Sequence, residues 1–218
     1  MHIKAVSISD AWGQCLYGFL SEEEVYKQVI SRGSFENESY RLQFPALSME
    51  ILNAVVDVIP QVPTGAAPPC TQDYIDNYFT DYILYSGKKS PNEEYTYAER
   101  IGGQLQIVMD MLLKTPQTNQ SIIEVGRPED CELHDPACLR EIHFRVVNGH
   151  LDMTVLWRSN DMFAAFVGNH GGLGKLQEMV AEYIGFPMGK LHYYSSGSHL
   201  YAYQIPSVEQ KTGLKYKC

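Results

Sequence analysis

The clearest alternation of apolar and polar positions lies in two adjoining segments, residues 138–147 and 150–159. Between them stands Asn148-Gly149, a pair that favours the tight turns of β-hairpins. Pairing outward from this turn sets Arg145 opposite Asp152 and gathers the apolar side chains on the other face. A shift by one residue would mix the two faces, so the pattern predicts one register of a β-hairpin.

This register has a chemical consequence at the open end of the hairpin. It places Cys138 opposite Ser159 and next to Arg158, unless a bulge shifts the pairing. A guanidinium favours the thiolate form of a neighbouring thiol. Most single cysteines are small core residues, but this adjacency distinguishes Cys138 from the other four cysteines of the chain.

The remaining pattern predicts a mixture of helices and strands. Helical spacing covers residues 9–31 (one or two helices), 71–84 with Thr71 as the cap, 95–113 and 171–186. Strands are expected at residues 49–58, 121–125, 191–194 and 199–203. The Pro/Gly-rich stretch 59–73 is interpreted as a loop within one domain.

Composition narrows the function classes. The 218 residues carry 17 Lys+Arg against 26 Asp+Glu, a net charge of −9, which argues against a nucleic acid polymer or an anionic membrane as partner. No apolar run is long enough for a transmembrane helix, and no signal peptide is recognised. The five cysteines lack CxxC spacing, which argues against a zinc site or a disulfide framework and favours the cytoplasm.

Five stretches, in order and at closely similar spacings, resemble the thymidylate synthases. They are YTYAERI (95–101), DPACLREIHFRV (135–146), RSND (158–161), GN (168–169) and SHLY (198–201). RSND begins twenty residues after Cys138. The short length and the TNQ segment (118–120) look most like the archaeal branch of that family.

The resemblance implies an α+β fold, a mixed β-sheet packed with helices, in a single catalytic domain over residues 1–218. It also implies a homodimer in which the sheet packs against that of the partner. In the family, a cysteine thiolate adds to C6 of dUMP, and C5 then takes a methylene group from a reduced pterin to give dTMP. The co-substrate would be 5,10-methylenetetrahydrofolate, the family default, or methylenetetrahydromethanopterin, as in methanogens.

Cys138 matches the family's nucleophile, against its alternative as an ordinary strand cysteine. Arg158 and Ser159 match phosphate ligands, since a planar five-donor fork and a hydroxyl suit a cluster of anionic oxygens; the alternative is a salt bridge at a strand end. Asn169 matches the amide that reads the uracil edge and stabilises the enolate. Its other interpretation is a helix N-cap.

Four further positions match the family pattern. His199 and Tyr201 share one face of a strand and match the pair that binds the ribose 3′-hydroxyl. Asp161 matches the carboxylate that binds the pterin ring, and Tyr97 matches a tyrosine tied to proton removal at C5. The alternatives are a structural His-x-Tyr pair, a turn-forming aspartate and a packing tyrosine.

Some family features do not align. Asn119 and Gln120 stand where other branches carry two arginines that reach the partner's phosphate. Binding of the phosphate would therefore rely more on Arg158, with help from Arg32. The family's catalytic glutamate has no clear counterpart, and the C-terminal tail is not recognisable in KTGLKYKC. The residues considered for the glutamate are Glu50, Asp73, Asp76 and Asp81.

The function expected is therefore a methyltransferase that makes dTMP. A pyrimidine nucleotide hydroxymethylase of the same superfamily is the near alternative, although Asn169 favours uracil over cytosine. A protein that binds dUMP without turnover is the alternative from another class, because the two arginines, the glutamate and the tail are missing.

Overall fold

A six-stranded mixed sheet lies at the centre of the computed structural model, which describes residues 1–30, 40–62, 67–85 and 94–216. The strands follow the order β1-β4-β9-β7-β6-β5. Their bounds are β1 His2–Ala5, β4 Leu47–Ile51, β5 Ile122–Glu124, β6 Leu139–Val147, β7 His150–Trp157 and β9 Met188–Ser195. The pairs β1·β4 and β7·β9 are parallel, and the other three are antiparallel.

The hairpin β6–β7 confirms the predicted turn and most of the predicted register. Gly149 has φ +78°, a conformation that glycine adopts at no steric cost. Arg145 pairs with Asp152 as expected. The apolar face is buried, with Phe144 and Val155 fully inaccessible to solvent.

A β-bulge at Arg140 corrects the predicted neighbour of Cys138. The register shifts by one residue between Leu139 and Glu141, so Leu139 pairs with Trp157. The backbone N–H of Arg158 accordingly donates to the carbonyl oxygen of Cys138 at 2.8 Å. Cys138 therefore lies opposite Arg158, and the expected pairing with Ser159 is wrong by one residue.

A second, four-stranded sheet has the order β2-β3-β10-β8. Its strands are β2 Tyr26–Gln28, β3 Arg41–Gln43, β8 Asn160–Asp161 and β10 Ser198–Tyr201. A second helix over residues 21–30 is therefore a wrong prediction. The acids at 22–24 follow the end of a helix, and the backbone after them pairs with β3, where tertiary hydrogen bonds outweigh local helix preference.

The helices agree with prediction in number, except for one at the C-terminal end that the pattern did not show. Their bounds are α1 Ile8–Ser21, α2 Gln72–Asn77, α3 Tyr97–Lys114, α4 Phe166–Ile184 and α5 Ile205–Thr212. The helix α2 continues as a π-helix over Tyr78–Leu84. Short 3₁₀ turns cover Pro128–Glu132 and Ala202–Gln204.

The ends of two helices show how local chemistry sets the boundaries. Thr71 caps α2 through a hydrogen bond from the backbone N–H of Tyr74, as predicted. By contrast, α4 begins five residues before the predicted residue 171, because Ala165 offers no capping side chain that would mark the start.

The strand predicted at residues 49–58 ends at Ile51. The side chain of Asn53 accepts hydrogen bonds from the backbone N–H groups of Val55 and Val56, which forms a turn. This local bonding competes with the sheet and stops the strand, although the following residues are apolar and β-branched.

One continuous hydrophobic core lies between the six-stranded sheet and the helices α1 and α4. Trp157, Phe144 and Tyr193 are among its largest buried side chains. The arrangement confirms an α+β fold with mixed strands packed against helices. Within the described ranges, no helix has the length and apolar character needed to cross a membrane.

The close packing of α4 can be tested at Gly174. A Cβ there would lie 2.5 Å from the backbone oxygen of Ala54, so Gly174→Ala is expected to lower the free energy of unfolding by about 1–3 kcal/mol. Gly103→Ala in α3 is the matched control: its Cβ would meet nothing within 4 Å. Urea denaturation should show a loss for the first variant and none for the second; equal stability would contradict the packing.

Candidate active site

A cavity of about 400 Å³ opens where the hairpin, β8, β10 and α4 meet. Seven of the eight predicted site residues line it: Cys138, Arg158, Ser159, Asp161, Asn169, His199 and Tyr201. They come from chain segments more than sixty residues apart, and the fold brings them to one place. Its size is within the range typical of small-molecule sites.

Cys138 is half-buried in the wall of this cavity. Burial raises the pKa of the Cys138 thiol, and the Arg158 guanidinium opposes it by lowering that pKa. The arginine thus acts in the expected direction, but desolvation is the larger effect and the pKa lies above its ordinary value.

Arg158 is held by the loop that leads to Cys138. Its Nε donates to the carbonyl oxygens of Pro136 and Ala137 at 3.1 and 3.2 Å, and its Nη2 donates to Asp135 Oδ1 at 2.9 Å and to Pro136. These bonds fix the plane of the guanidinium beside the thiol.

His199 is buried, and burial favours its neutral form by lowering its pKa. Its Nδ1 lies 2.9 Å from the carbonyl oxygen of Gly197, which can only accept, so Nδ1 carries the proton. The opposite nitrogen, Nε2, is then an acceptor, and it is buried without a hydrogen-bond partner in the described part of the chain. The cavity thus contains an acceptor suited to a ligand hydroxyl. Ser159 Oγ lies 3.2 Å from Nδ1.

The amide of Asn169 is oriented by its neighbours. Asn160 Nδ2 donates to Asn169 Oδ1 at 3.3 Å, and the Tyr78 hydroxyl also hydrogen-bonds the Asn169 side chain. Asn169 lies inside α4, one turn after its start, so its interpretation as a helix N-cap is wrong.

Asp161 forms a turn as well as lining the cavity. Its Oδ1 accepts from the backbone N–H groups of Phe163 and Ala164 at 2.9 and 3.1 Å, and its Oδ2 accepts from Gln204 Nε2 at 2.9 Å.

Tyr201 is buried next to His199, with the two rings edge to face at 4.8 Å. Burial raises the pKa of Tyr201, which keeps its hydroxyl protonated.

Tyr97, the eighth predicted residue, lines a neighbouring cavity of about 420 Å³ that shares Asn169 with the first. Its hydroxyl accepts from the backbone N–H of Leu139 at 3.2 Å, one residue from Cys138. The other residues of this wall are largely aromatic: Tyr74, Asn77, Tyr78, Asp81 and Tyr82. Tyr78 stacks on Tyr82 with ring centroids 5.3 Å apart.

Several residues of the two cavities were not found from the sequence. Arg41, on β3, lines the main cavity, and Asn160 and Tyr78 support Asn169. Arg41 carried no local motif, whereas Asn160 lies inside RSND and could have been found there. Arg32 lies outside the described residues.

The structure locates three of the four residues considered for the family's glutamate, and the two positions that correspond to the missing arginines. Asp81 lines the tyrosine-rich cavity with Tyr97, whereas Asp76 pairs with Lys175 and Glu50 pairs with Lys190 elsewhere. Asn119 and Gln120 are exposed and do not line the main cavity of this chain.

Comparisons with known proteins agree on one family. The family model described as thymidylate synthase matches residues 80–215. Two curated relatives are named "Putative thymidylate synthase". The one from Methanosarcina barkeri is 28% identical, and the match covers 95% of this chain and 92% of the relative. The one from Methanocaldococcus jannaschii is 25% identical, and the match covers 83% of this chain and 88% of the relative. Among solved structures, thermostable thymidylate synthase A from Bacillus subtilis superposes with a TM-score of 0.71 at 15% identity, covering 92% of this chain and 82% of that one. The chain belongs to the thymidylate synthase family.

Proposed function

We propose that this protein is a thymidylate synthase, a methyltransferase that converts dUMP to dTMP with a methylene-carrying reduced pterin. The observation that carries the proposal is the convergence of a thiol, a guanidinium, two hydroxyls, an imidazole and an amide on one cavity. These groups match the parts of a uracil nucleotide: an electrophilic ring carbon, a phosphate, a ribose hydroxyl and an amide edge.

In the proposed complex, Arg158 and Ser159 bind the phosphate, since charged and neutral donors both suit its oxygens. His199 Nε2 accepts a hydrogen bond from the ribose 3′-hydroxyl, and Tyr201 binds the same hydroxyl. The Asn169 amide donates to uracil O4 and accepts from N3–H, which a cytosine ring would not match. Asn160 and Tyr78 support this amide in its orientation.

The proposed chemistry begins when the Cys138 thiol loses its proton to solvent and the thiolate adds to C6 of the bound uracil. A bond forms between sulfur and C6, and the electron pair of the C5–C6 double bond moves onto C5 and O4, where the Asn169 amide stabilises the charge. C5 then bonds to the methylene carbon of the pterin. Loss of the C5 proton and cleavage of the bond between that carbon and the pterin nitrogen give an exocyclic methylene. A hydride from the pterin reduces the methylene to methyl, and the cysteine sulfur leaves C6 as a thiolate, which restores the C5–C6 double bond.

The tyrosine-rich cavity fits the pterin co-substrate. Its wall is formed by stacked aromatic rings and it adjoins Asn169, so a flat heterocycle there would lie beside the nucleotide base. Asp161, on the wall of the adjoining main cavity, would bind the part of the pterin ring that extends there. Its turn leaves lone pairs available, because each carboxylate oxygen accepts more than one hydrogen bond. This aromatic wall suits folate and methanopterin alike.

We further propose that Asp81 takes the place of the family's glutamate. Asp81→Asn is expected to lower kcat by about 100-fold, because a carboxylate that organises proton removal contributes about 10²–10⁴-fold. Asp76→Asn is the matched control, since Asp76 lies one turn earlier and pairs with Lys175 at 2.7 Å. Steady-state rates of dTMP formation check the prediction, and an unchanged kcat for Asp81→Asn would contradict the assignment.

The proposal includes a homodimer formed through the outer face of the six-stranded sheet. Leu156 and Tyr194 lie side by side on that face and are exposed by 42% and 48%. Burial of such apolar area against a second copy would be favourable.

The proposed enzyme is a single catalytic domain over residues 1–218 in the cytoplasm, with neither a nucleic acid polymer nor a membrane as partner.

The proposal is tested by incubating the protein with C5-tritiated dUMP and, in parallel, methylenetetrahydrofolate and methylenetetrahydromethanopterin. Release of tritium with formation of dTMP, identified by mass, is the expected result, and the active pterin identifies the co-substrate. Hydroxymethyl-dUMP as product would indicate the hydroxymethylase instead. Binding of dUMP without tritium release from either mixture would indicate a protein that binds the nucleotide without turnover.

A further inference from the structure

Arg158 has limited capacity for a phosphate. A guanidinium has five N–H donors, and the hydrogen bonds to residues 135–137 use those on Nε and Nη2. The donors on Nη1 remain for a ligand. The carboxylate of Asp135, 2.9 Å from Nη2, also offsets the charge of the arginine.

A second guanidinium, that of Arg41, belongs to the same cavity. In the small sheet, Arg41 pairs with Tyr201, and Gln43 pairs with His199. Residues paired across strands lie on the same face of a sheet, so Arg41 is on the face that presents the ribose-binding pair. Its charge also acts on the Cys138 thiol, lowering the pKa of that group.

The hydrogen bonding of Arg41 is incomplete. Its Nε is buried and has no hydrogen-bond partner within the ranges that the structure describes. A buried donor without an acceptor is costly, and a charged one more so. A bound anion would supply the acceptor.

The charge balance of the cavity also favours a role for Arg41 in binding an anion. Without Arg41, the cavity wall would carry one guanidinium, that of Arg158, and two carboxylates, those of Asp135 and Asp161. A dianionic phosphate would then enter a region of net negative charge. With Arg41 the wall is balanced, and the two guanidinium groups can bind phosphate oxygens together.

We infer that Arg41 is a phosphate-binding residue, and that Arg41 and Arg158 of one chain complete the nucleotide phosphate site without arginines from a partner. The inference rests on the proposed function and goes beyond it by assigning the second cation. It also explains how Asn119 and Gln120, which are exposed and uncharged, are compatible with nucleotide binding.

The test compares Arg41→Gln with Lys27→Gln. Lys27 lies on β2 opposite Leu42, on the other face of the same sheet, and its ammonium is 3.9 Å from the Tyr40 ring centroid. Both variants lose one positive charge, but only one loses it from the cavity. Isothermal titration calorimetry measures the affinities for dUMP, deoxyuridine and inorganic phosphate, and circular dichroism checks the fold.

Arg41→Gln is expected to lower the affinities for dUMP and inorganic phosphate by about 10- to 100-fold, since hydrogen bonds to charged groups contribute about 1.5–3 kcal/mol. Deoxyuridine, which lacks the phosphate, should bind as it does to wild type. Arg41→Lys, which keeps the charge without the fork, should recover part of the loss and serves if Arg41→Gln does not fold. Lys27→Gln and the double variant Asn119→Ala/Gln120→Ala should bind all three ligands normally.

The inference is overturned if Arg41→Gln binds dUMP and phosphate like wild type, if it loses deoxyuridine equally, or if the double variant loses phosphate affinity. It is also overturned if the phosphate group adds no affinity in wild type. A protein that binds phosphate through Arg41 but neither uracil ligand would refute the proposed function and keep the inference. If the wild-type protein releases tritium from dUMP and the Arg41→Gln variant binds dUMP normally, the proposed function stands and the inference about Arg41 is refuted.

Discussion

Cys138→Ala is expected to abolish tritium release from C5-labelled dUMP, with a fall in rate of at least about 10⁴-fold, as when the nucleophile of a covalent mechanism is removed. Without the sulfur, no bond forms at C6, and C5 does not become nucleophilic. Binding of dUMP should survive, because the residues proposed to bind phosphate, ribose and base remain. Calorimetry with dUMP and the tritium assay measure the two properties separately.

Cys131→Ala is the matched control for this prediction. Cys131 is an exposed free thiol on the wall of the same cavity, so the variant removes one sulfur from the neighbourhood of the nucleotide. Its rate should equal that of wild type. If Cys138→Ala released tritium at a substantial rate, covalent addition by this residue would be refuted.

Asp130→Asn is expected to lower the free energy of unfolding by about 3–5 kcal/mol, the usual result of breaking a buried ion pair. Asp130 Oδ1 lies 2.8 Å from Arg100 Nη2, and Oδ2 lies 2.6 Å from Arg140 Nη1. Asp130 and Arg100 are both buried. The neutral amide would remove the negative charge that faces both guanidinium groups, one of them in the interior.

The effect of Asp130→Asn should depend on pH. Burial would raise the pKa of Asp130, but the backbone N–H of Arg127 and the guanidinium groups of Arg100 and Arg140 outweigh it, and the pKa lies below its ordinary value of 3.8. A lowered folded-state pKa gives stability that is complete above the unfolded pKa and is lost as the pH falls through the folded one. The difference between wild type and variant should therefore be full near pH 7 and shrink below about pH 3.8.

Urea denaturation at several pH values measures this difference. Glu129→Gln is the control, because Glu129 precedes Asp130 in the same 3₁₀ turn but is exposed. Its free energy of unfolding should change by no more than about 0.5 kcal/mol. An Asp130→Asn protein as stable as wild type at pH 7 would show that the ion pairs carry no net stability.

Local chemistry explains which parts of the fold could be predicted from the sequence. The Asn148-Gly149 turn and the alternation around it determine the hairpin without reference to distant residues, and Thr71 marks the start of α2 in the same way. By contrast, the strand at Tyr26–Gln28 depends on pairing with β3, beyond any local window. The acids before it favoured a helix, and tertiary pairing prevailed.

The site followed the same division. The residues within compact motifs, such as Arg158 and Ser159, could be predicted together because a few positions separate them. Arg41 could not, because it meets Tyr201 only through strand pairing across 160 positions of the chain. The glycines at the start of α4 also resist prediction as helix: they are weak helix formers, and Gly168 is present because the Tyr74 ring packs where a Cβ would lie, 2.5 Å away.

The bulge at Arg140 places one extra residue in β6. If the same residues paired one to one without the bulge, Cys138 would lie opposite Ser159, and the residues up to Leu139 would turn to the other side of the sheet. The thiol would then be directed away from the cavity while every motif stayed intact along the chain. Motif and spacing along the chain therefore do not determine the site by themselves: the bulge in β6 decides which residue lies opposite Arg158 and to which side of the sheet the thiol is directed.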